Sequence, residues 1–187
     1  MRPQKLSSEQ MLRACALQFK AHGYAGTSMD MLAKACGLSK ASFYYYFSSK
    51  EALLLEVLEY TQNVLNRTVF NVSATQSETV VVQFQQMHQK AVQFFSAEVA
   101  GCLMGIISLE VSTISTDVSE KIRQIFQDWQ QAFFQIFVKV FDPTMADQLA
   151  KMSIADYEGA ILMYRLTQDA TYLDYQAERI IRQLESA

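Results

Sequence analysis

The chain has 187 residues, of which half are hydrophobic, with only two prolines and six glycines, and its formal net charge is -3. Long stretches lack the turn-forming residues of a sandwich or barrel, so the composition predicts an all-α protein. Its apolar runs fall short of the roughly 20 residues of a membrane span, and its first residues lack a signal-peptide segment, so we expect a cytoplasmic protein with no membrane partner. Its three cysteines share no metal-ligand spacing, and we expect neither a disulfide framework nor a metal site.

Charge is unevenly divided along the chain. Residues 1–55 carry seven Lys or Arg against three Asp or Glu, a net +4, whereas the remainder carries nine against sixteen, a net -7. A basic end on an acidic body is expected of a protein that meets a phosphate backbone at one end only. Chance segregation of surface charge gives the same pattern, so charge supports a nucleic-acid partner only together with a motif.

The first three predicted helices are marked by caps and glycines. Ser7 opens the first helix with a capping-box pattern, and Gly23 ends it. Thr27 or Ser28 caps a second helix that ends at Gly37, and Ser39 caps a third. A short helix, a glycine turn and a second short helix form the spacing of a helix-turn-helix motif.

The third helix, which ends near residue 47, has a packing face and an outward face. Phe43 and Phe47 are four residues apart and share the face that packs on the first two helices. The outward positions are Lys40, Ala41, Ser42, Tyr44, Tyr45 and Tyr46. Recognition helices enter the major groove by their first turn, so we expect residues 40–42 to approach base edges and the tyrosines to contact phosphates and sugars. Tyr46 is equally well explained as a packing residue.

Two helix N-termini flank this motif. Lys50 and the backbone amides at the start of a fourth helix, opened by Ser48 or Ser49, predict a phosphate clamp. Thr27 and Ser28, at the start of the second helix, predict another. The alternative that these hydroxyls only cap their helices is compatible with both.

At these positions the chain resembles the DNA-binding domain of the tetracycline-repressor (TetR) family. The matching residues are Phe19, Gly23, Tyr24, Thr27, Ser28, Leu32, Ala33, Gly37, Leu38, Ser39, Lys40, Tyr44, Phe47, Lys50, Glu51 and Leu53. The resemblance implies a three-helix helix-turn-helix domain over residues 1–53, with the motif at about 28–47, and a helical ligand-sensing and dimerisation domain over 54–187. It implies a homodimer that binds double-stranded operator DNA and is released by a small-molecule effector, without a cofactor.

The resemblance also assigns roles to individual residues. It implies DNA contact for Thr27, Lys40, Ala41, Ser42, Tyr44, Tyr45 and Lys50. Ser28 and Tyr46 are further candidates. Because the chain has Ala41 where glycine is common in the family, and tyrosines at 45 and 46 where histidine is common, the operator sequence does not carry over.

Helical periodicity beyond residue 55 predicts five more helices, nine in all. They run from Ser77 to about Ser96, from Cys102 to about Thr113, from about Asp117 to Phe141, onward to about Thr167, and from the Asp169-Ala170-Thr171 segment to the last residues. Pro143 is expected to end the third of these. Glu110 falls on the buried side of its helix, where it faces a cationic ligand or has a structural role.

Aromatic and apolar side chains in the middle helices are sufficient to line an effector pocket with a few polar groups. The candidate lining residues are Phe84, His88, Phe95, Cys102, Ile107, Trp129, Phe133 and Tyr164. Core packing is the simpler interpretation of each one taken singly, since aromatics at helical spacing usually pack. His88 either bonds a ligand or satisfies a core carbonyl.

The last two helices are the candidate dimer interface. Gly159 and Ala160 allow close helix packing, and the resemblance implies that these helices dimerise. The candidate interface residues are Gly159, Met163, Leu166, Leu173, Ile180, Ile181 and Leu184.

Three alternatives to an effector-released repressor remain at this point. A thiol at a helix N-terminus ionises readily, so oxidation or electrophile modification of Cys102 is one mode of control. A constitutive architectural DNA-binding protein is the second. An enzyme is the third, but His22 and His88 are the only histidines and neither has a recognisable nucleophile partner, so we expect no catalytic residues.

Overall fold

The structure is a computed structural model that describes residues 6–71, 78–110 and 114–187, and these residues form nine α-helices, one π-helical turn and no strand. The helices are α1 (Ser8–His22), α2 (Met29–Ala35), α3 (Lys40–Tyr46), α4 (Lys50–Leu65), α5 (Val80–Ser96), α6 (Leu103–Ser108), α7 (Thr116–Phe137), α8 (Pro143–Thr167) and α9 (Thr171–Glu185). The π-helical turn, Asn66–Phe70, follows α4 directly. The predicted all-α fold with nine helices is confirmed. The predicted bounds at Ser77 and Thr113 lie outside the described residues.

The chain divides into two compact units. Unit 1 extends to Asn63 and includes Leu103–Arg123, so it holds α1 to α4, α6 and the start of α7. Unit 2 comprises Val64–Cys102 and Gln124–Ala187, which hold α5, most of α7, α8 and α9. Unit 1 therefore contains α6 in addition to the residues 1–53 that the sequence assigns to the first domain.

Local capping interactions begin the first three helices. The Ser7 hydroxyl accepts a hydrogen bond from the Gln10 backbone N–H, while the Gln10 side chain accepts one from the Ser7 N–H. Ser28 and Ser39 cap α2 and α3 in the same way, each accepting the amide three residues ahead. Each cap satisfies a backbone donor that has no partner within its helix. The predicted capping box and the Ser39 cap are confirmed, and of the two candidates at the start of α2 the structure shows Ser28.

The apolar core of unit 1 contains buried residues of α1, α2, α3, α4 and α6. Phe43 and Phe47 are 0% and 6% exposed, and their ring centroids lie 5.1 Å apart. The helix α3 packs on α2, which in turn packs on α1, and the buried side chains of α1 and α2 are Met11, Cys15, Phe19, Leu32 and Ala33. The predicted packing face of α3 is confirmed, and it leaves the opposite face of α3 to solvent.

Unit 2 is organised around the apolar stripe of α7. Trp129, Phe133 and Phe137 lie on this stripe and are fully buried. The helix ends at Phe137, four residues earlier than predicted, and Val140 is 38% exposed. The prediction that Pro143 ends α7 is wrong. Pro143 is instead the first residue of α8, directly after the Asp142 cap, where its missing N–H costs nothing.

No helix of the described residues combines the length and apolarity that a membrane span requires.

Candidate functional site

The outward face of α3 is the most conspicuous surface of unit 1. Residues 40–42, in its first turn, are all exposed. Tyr45 is 88% exposed, and Tyr44 and Tyr46 are 45% and 44% exposed. Large aromatic side chains are rarely left in water without a partner, and three consecutive ones form an uncovered surface of phenol rings beside a lysine.

Contacts among the tyrosines separate their roles. The ring of Tyr46 meets that of Tyr45 edge-on at 5.8 Å and lies 6.4 Å from the ring of Phe47. Tyr46 thus joins the exposed ring of Tyr45 to the buried Phe47, which accords with the expected mixture of packing and surface roles. Tyr45 projects furthest into solvent.

Two residues predicted to contact DNA instead hold the turn between α1 and α2. Thr27 is 1% exposed, and its hydroxyl donates to the Gly23 carbonyl at 2.6 Å. The Lys50 ammonium donates to the carbonyls of Tyr24 and Thr27 at 2.7 and 2.9 Å and lies 4.1 Å from the centroid of the Tyr24 ring. We therefore correct the prediction for the Thr27 side chain, which is buried. Lys50 is correctly located at the start of α4, but at least two of its three N–H groups are used internally.

The same turn is held from its other side by Glu110. One carboxylate oxygen accepts the Tyr24 N–H at 2.9 Å, and the other accepts the Ala25 N–H at 2.7 Å. Glu110 follows α6, and of the two roles foreseen for it the structural one is observed. The partner was not foreseen, because the bonded residues are 85 or 86 positions apart and nothing in local spacing joins them.

Lys50 and Glu110 together form what we call the turn clamp, which fixes residues 24–27 from both sides. The Lys50 ammonium binds carbonyl oxygens of this turn and the Glu110 carboxylate binds its amides, so each charge meets the end of the peptide dipole that has the opposite sign. The turn sets where α2 begins, and Ser28, exposed and capping α2, follows it immediately. The clamp therefore positions the helix-turn-helix motif without contacting its outward face.

The middle helices of unit 2 bring several predicted pocket residues into one aromatic cluster. Trp129 lies at its centre, with its ring centroid 5.2 Å from that of Phe95 and 6.1 Å from that of Phe133. Phe70 and Tyr157, both missed by sequence reasoning, lie 6.0 and 5.6 Å from it. The only sequence feature that points to burial of Tyr157 is its position on the apolar side of α8.

His88 joins this aromatic cluster through a hydrogen bond. Its Nδ1 lies 2.7 Å from the Tyr157 hydroxyl, and its ring stacks 6.2 Å from Phe84. Burial lowers the pKa of His88, and Asp174 partly opposes that shift. Burial also raises the pKa of Tyr157, so both groups are neutral at pH 7. His88 satisfies a core hydroxyl, a role close to the core-carbonyl alternative foreseen for it.

Some polar atoms in unit 2 are buried without a hydrogen-bond partner among the described residues. They are the indole N–H of Trp129, both amide atoms of Gln176, and one carboxyl oxygen each of Glu78 and Glu158. A buried polar group without a partner costs free energy, so such atoms are expected where a bound molecule supplies the missing bond.

The remaining predicted pocket residues lie elsewhere. Ile107 is buried in unit 1, and we correct its assignment to the unit 2 cluster. Tyr164 is half-buried. Cys102 is 4% exposed and forms a hydrogen bond with the Glu158 carboxyl, whose pKa is raised chiefly by burial. A neighbouring carboxyl disfavours a thiolate, so this environment does not favour the reactive Cys102 alternative.

The outer face of α8 and α9 carries exposed apolar side chains. Leu166 is 75% exposed, Gly159 is exposed, and Met163 is half-buried, so the single chain leaves all three accessible. They lie near an open groove of about 400 Å³ lined by Gly159, Met163, Tyr172, Tyr175 and Arg179 among others.

The predicted interface residues of α9 need correction. Leu173, Ile180 and Leu184 are 2%, 1% and 6% exposed within the single chain, and Ile181 is half-buried. They form the inward stripe of α9, which packs on α8 and α5. The apolar stripe was recognised correctly, but its periodicity does not tell a dimer partner from a neighbouring helix of the same chain.

No group of three or more His, Cys, Asp or Glu side chains suited to a metal ion occurs within residues 6–71, 78–110 and 114–187.

Comparison with known proteins identifies two matching family models. Residues 12–57 match the model described as bacterial regulatory proteins, tetR family, and residues 78–179 match the C-terminal domain of LmrA/YxaF-like transcriptional regulators. The HTH-type transcriptional repressor DhaR of Mycobacterium sp. (strain GP1) is 28% identical over 162 residues, 83% of this chain and 81% of DhaR. The uncharacterized HTH-type regulator YxaF of Bacillus subtilis is 26% identical over 177 residues, 93% of each chain.

A solved structure shares the fold. The crystal structure of a TetR transcriptional regulator from Legionella pneumophila superposes with a TM-score of 0.87 over 98% of both chains, at 22% sequence identity.

Proposed function

This chain belongs to the TetR family of bacterial transcriptional regulators, and from that premise we propose that it is a repressor. In this proposal it binds a near-palindromic operator as a homodimer and releases the operator when a small molecule binds in unit 2. Members of this family are DNA-binding regulators and not enzymes. Its relative DhaR is named a transcriptional repressor, which supports repression rather than activation.

The exposed face of α3 is the observation that carries the DNA-binding proposal. Lys40, Ala41 and Ser42 read base edges from the first turn, while Tyr44 and Tyr45 bind phosphates and sugars. The Ser42 hydroxyl accepts a hydrogen bond from Ser39 at 2.9 Å, which orients it at the helix start. Small Ala41 allows the helix to approach the floor of the groove.

The supporting residues hold this face in position. Ser28 caps α2 and lies exposed, where it contacts the backbone phosphate. Tyr46 packs on Phe47 and orients Tyr45. Lys50 acts first through the turn clamp, and only its remaining N–H is available to a phosphate. Residues 1–53 are the DNA-binding domain, and residues 54–187 sense the effector and dimerise.

We place the effector against the aromatic cluster of unit 2. An open groove of about 430 Å³ is lined by Phe70, Ala132 and Ile136 together with polar side chains, namely Asn66, Asn71, Asp128, Gln131, Gln135 and Lys139. Trp129 does not line the groove, but its ring is 6.0 Å from that of Phe70, and its fully buried indole N–H has no hydrogen-bond partner among the described residues. The effector is therefore a small molecule whose apolar part packs on Phe70 and whose oxygen or nitrogen atoms bond the polar side chains and accept from the Trp129 N–H.

Trp129 is the only tryptophan of the chain, so its fluorescence reports on this site directly. In the test, a panel of small apolar ketones, quinones and phenols is titrated against the protein while tryptophan emission and operator binding are both followed. An effector should change the emission and release the operator at the same concentration, and Trp129→Phe should weaken release. A compound that releases the operator without any change in Trp129 emission would contradict this location.

The homodimer proposal rests on the exposed face of α8 and α9. Leu166, Met163 and Gly159 lie on successive turns of α8, and Tyr175 on α9 is 65% exposed. A second copy covers this apolar surface. Two recognition helices then lie about 34–36 Å apart, the spacing of successive major grooves.

A further inference from the structure

Two of the three cysteines lie side by side in the core of unit 1. Cys15 belongs to α1 and Cys36 is the residue that ends α2, and their Sγ atoms are 3.7 Å apart. They are 0% and 4% exposed. A disulfide requires an S–S distance of about 2.05 Å, so the sulfurs need to approach by only about 1.6 Å. The spacing of 21 residues between them belongs to no recognised thiol motif.

We propose that Cys15 and Cys36 form an oxidisable dithiol, which a hydroperoxide converts into an intramolecular disulfide that weakens DNA binding. The disulfide itself is independent of the function proposed above, whereas its effect on DNA rests on that function. This site differs from Cys102, which lies in unit 2.

The two thiols are arranged for unequal roles. A hydrogen bond joins the two sulfurs, with either one able to donate, and it lowers the pKa of Cys36, whose thiol also lies 3.8 Å from the Met11 carbonyl. The same bond, with burial, raises the pKa of Cys15. Cys36, at 4% exposed, is also slightly more accessible than Cys15, at 0%. Cys36 is therefore the thiol that a small oxidant attacks first.

The reaction balances with the peroxide as the sole oxidant. The Cys36 thiolate attacks the outer oxygen of ROOH, the O–O bond breaks, and a proton completes ROH and leaves Cys36 as sulfenic acid. The Cys15 sulfur then displaces that hydroxyl as the S–S bond forms. The Cys15 proton and the departing hydroxide form water. In sum, two thiols and ROOH give one disulfide, ROH and H₂O.

The position of Cys36 explains why the disulfide affects DNA binding. Gly37 follows it directly and begins the turn that leads to the Ser39 cap of α3. Cys15 lies on the buried face of α1, one turn from the fully buried Phe19. Because protein interiors are close-packed, drawing these sulfurs together displaces α2 and the turn against α1. The recognition helix then leaves the geometry in which it fits the groove.

The bond itself is tested by peptide mapping of the full chain. The reduced protein is treated with hydrogen peroxide in increments, blocked with iodoacetamide and digested with trypsin without reduction. Tryptic cleavage places Cys15 in residues 14–20, Cys36 in residues 35–40 and Cys102 in residues 91–121. The proposal predicts one linked pair, 14–20 with 35–40, and an intact mass lower by two hydrogens that dithiothreitol restores.

Three variants serve as controls. Cys102→Ser should form the same linked pair, while Cys15→Ala and Cys36→Ser should not. The use of two different variants keeps the test valid if one of them fails to fold. The proposal is wrong if Cys15 and Cys36 are recovered as separate, iodoacetamide-blocked peptides after Cys102 has been fully oxidised. It is also wrong if Cys36 becomes a sulfinic acid and no linked pair forms.

The effect on DNA is measured separately, with a duplex that the reduced protein selects from genomic fragments. Oxidised protein should bind this duplex at least tenfold more weakly, dithiothreitol should restore binding, and Cys36→Ser should bind equally with and without peroxide. A linked pair with unchanged affinity would overturn the regulatory part. If reduced protein selects no duplex, the repressor function fails, and the peptide map still decides whether the dithiol exists.

Discussion

At the scale of single residues, the environment decides which of several similar side chains serve function. Tyr45 and Tyr157 show the contrast, since Tyr45 is 88% exposed on α3 whereas Tyr157 is 1% exposed and bonded to His88. Two lysines differ in the same way, one being exposed and the other bonded within the protein. Lys40 is exposed on the outward face, whereas Lys50 bonds two carbonyls of the α1–α2 turn.

Replacing Tyr45 by phenylalanine tests whether its hydroxyl binds DNA. The side chain is largely in solvent, so the free energy of unfolding should change by less than about 0.5 kcal/mol. Losing one hydrogen bond to a phosphate should weaken operator binding by about 1 kcal/mol, roughly fivefold. Fluorescence anisotropy with labelled operator measures it. Thr116→Val, which removes an exposed hydroxyl at the start of α7, is the control and should bind as wild type; equal losses in both variants would refute the assignment.

His88 makes the stability of unit 2 depend on pH. Because burial lowers its folded-state pKa below the value of about 6.5 in an unfolded chain, the unfolded state binds more protons just below pH 6.5. The contribution of neutral His88 is therefore complete above about pH 6.5 and is lost as the pH falls toward the folded-state pKa. Wild type should lose more unfolding free energy than His88→Gln over this window in urea titrations. Parallel losses in the two proteins would show that His88 is not responsible.

At the scale of elements, patterns between residues three or four apart predicted the helices correctly. Contacts between residues far apart in the sequence were not predicted. The capping box at Ser7 and the Phe43–Phe47 face depend on residues three or four apart, so the sequence contains all the information needed. The Glu110 bonds and the Cys15–Cys36 contact join residues that only folding brings together. Apolar periodicity likewise identified the stripe of α9 without revealing that α5 and α8 cover it.

Two turn glycines allow the turn clamp to be measured against a matched control. Gly37 has φ of 65°, whereas Gly23 combines φ of 70° with ψ of -178°, a conformation that essentially only glycine adopts, so alanine is strained at both positions and more strongly at Gly23. A methyl group at Gly23 would also overlap Glu110 Oε1, while one at Gly37 meets nothing within 4 Å. Gly23→Ala should therefore cost more than Gly37→Ala, and about 2 kcal/mol of the difference should come from displacing the Glu110 bonds.

The Glu110→Ala background separates strain from the clamp. Without the carboxylate, the difference in cost between Gly23→Ala and Gly37→Ala should shrink by about 2 kcal/mol, since only the difference in backbone strain remains. Chemical denaturation of the six proteins in this set provides the comparison. A difference that is unchanged without Glu110 would show that Gly23→Ala does not act through the clamp.

At the scale of the whole molecule, the TetR family provides the framework into which these features fit. The chain is all-helical, with a helix-turn-helix in unit 1 and a buried aromatic cluster in unit 2, and in our proposal these carry DNA binding and effector sensing respectively. The net charges of +4 for residues 1–55 and -7 for the remainder are consistent with DNA binding at the first end. The proposed dimer would connect the two roles, since a near-palindromic operator is read by paired recognition helices.

Charge placed on the outer face of α8 should prevent dimerisation. Leu166 is 75% exposed, and Leu166→Glu buries a carboxylate if a second copy covers it, so the variant should be monomeric at micromolar concentration. Sedimentation velocity distinguishes the two states. Leu109→Glu changes a leucine that is 86% exposed after α6 and should remain dimeric. A dimeric Leu166→Glu protein would place the interface elsewhere.

Selection of bound fragments from the source genome tests the central claim, that the outward face of α3 reads operator DNA, most directly. Wild type should enrich a near-palindromic sequence with half-sites about one helical turn apart. A variant with Lys40, Tyr44 and Tyr45 all changed to alanine, each exposed in the free protein, should fold normally and enrich nothing. Enrichment of the same sequence by the triple variant, or of no sequence by wild type, would contradict the claim.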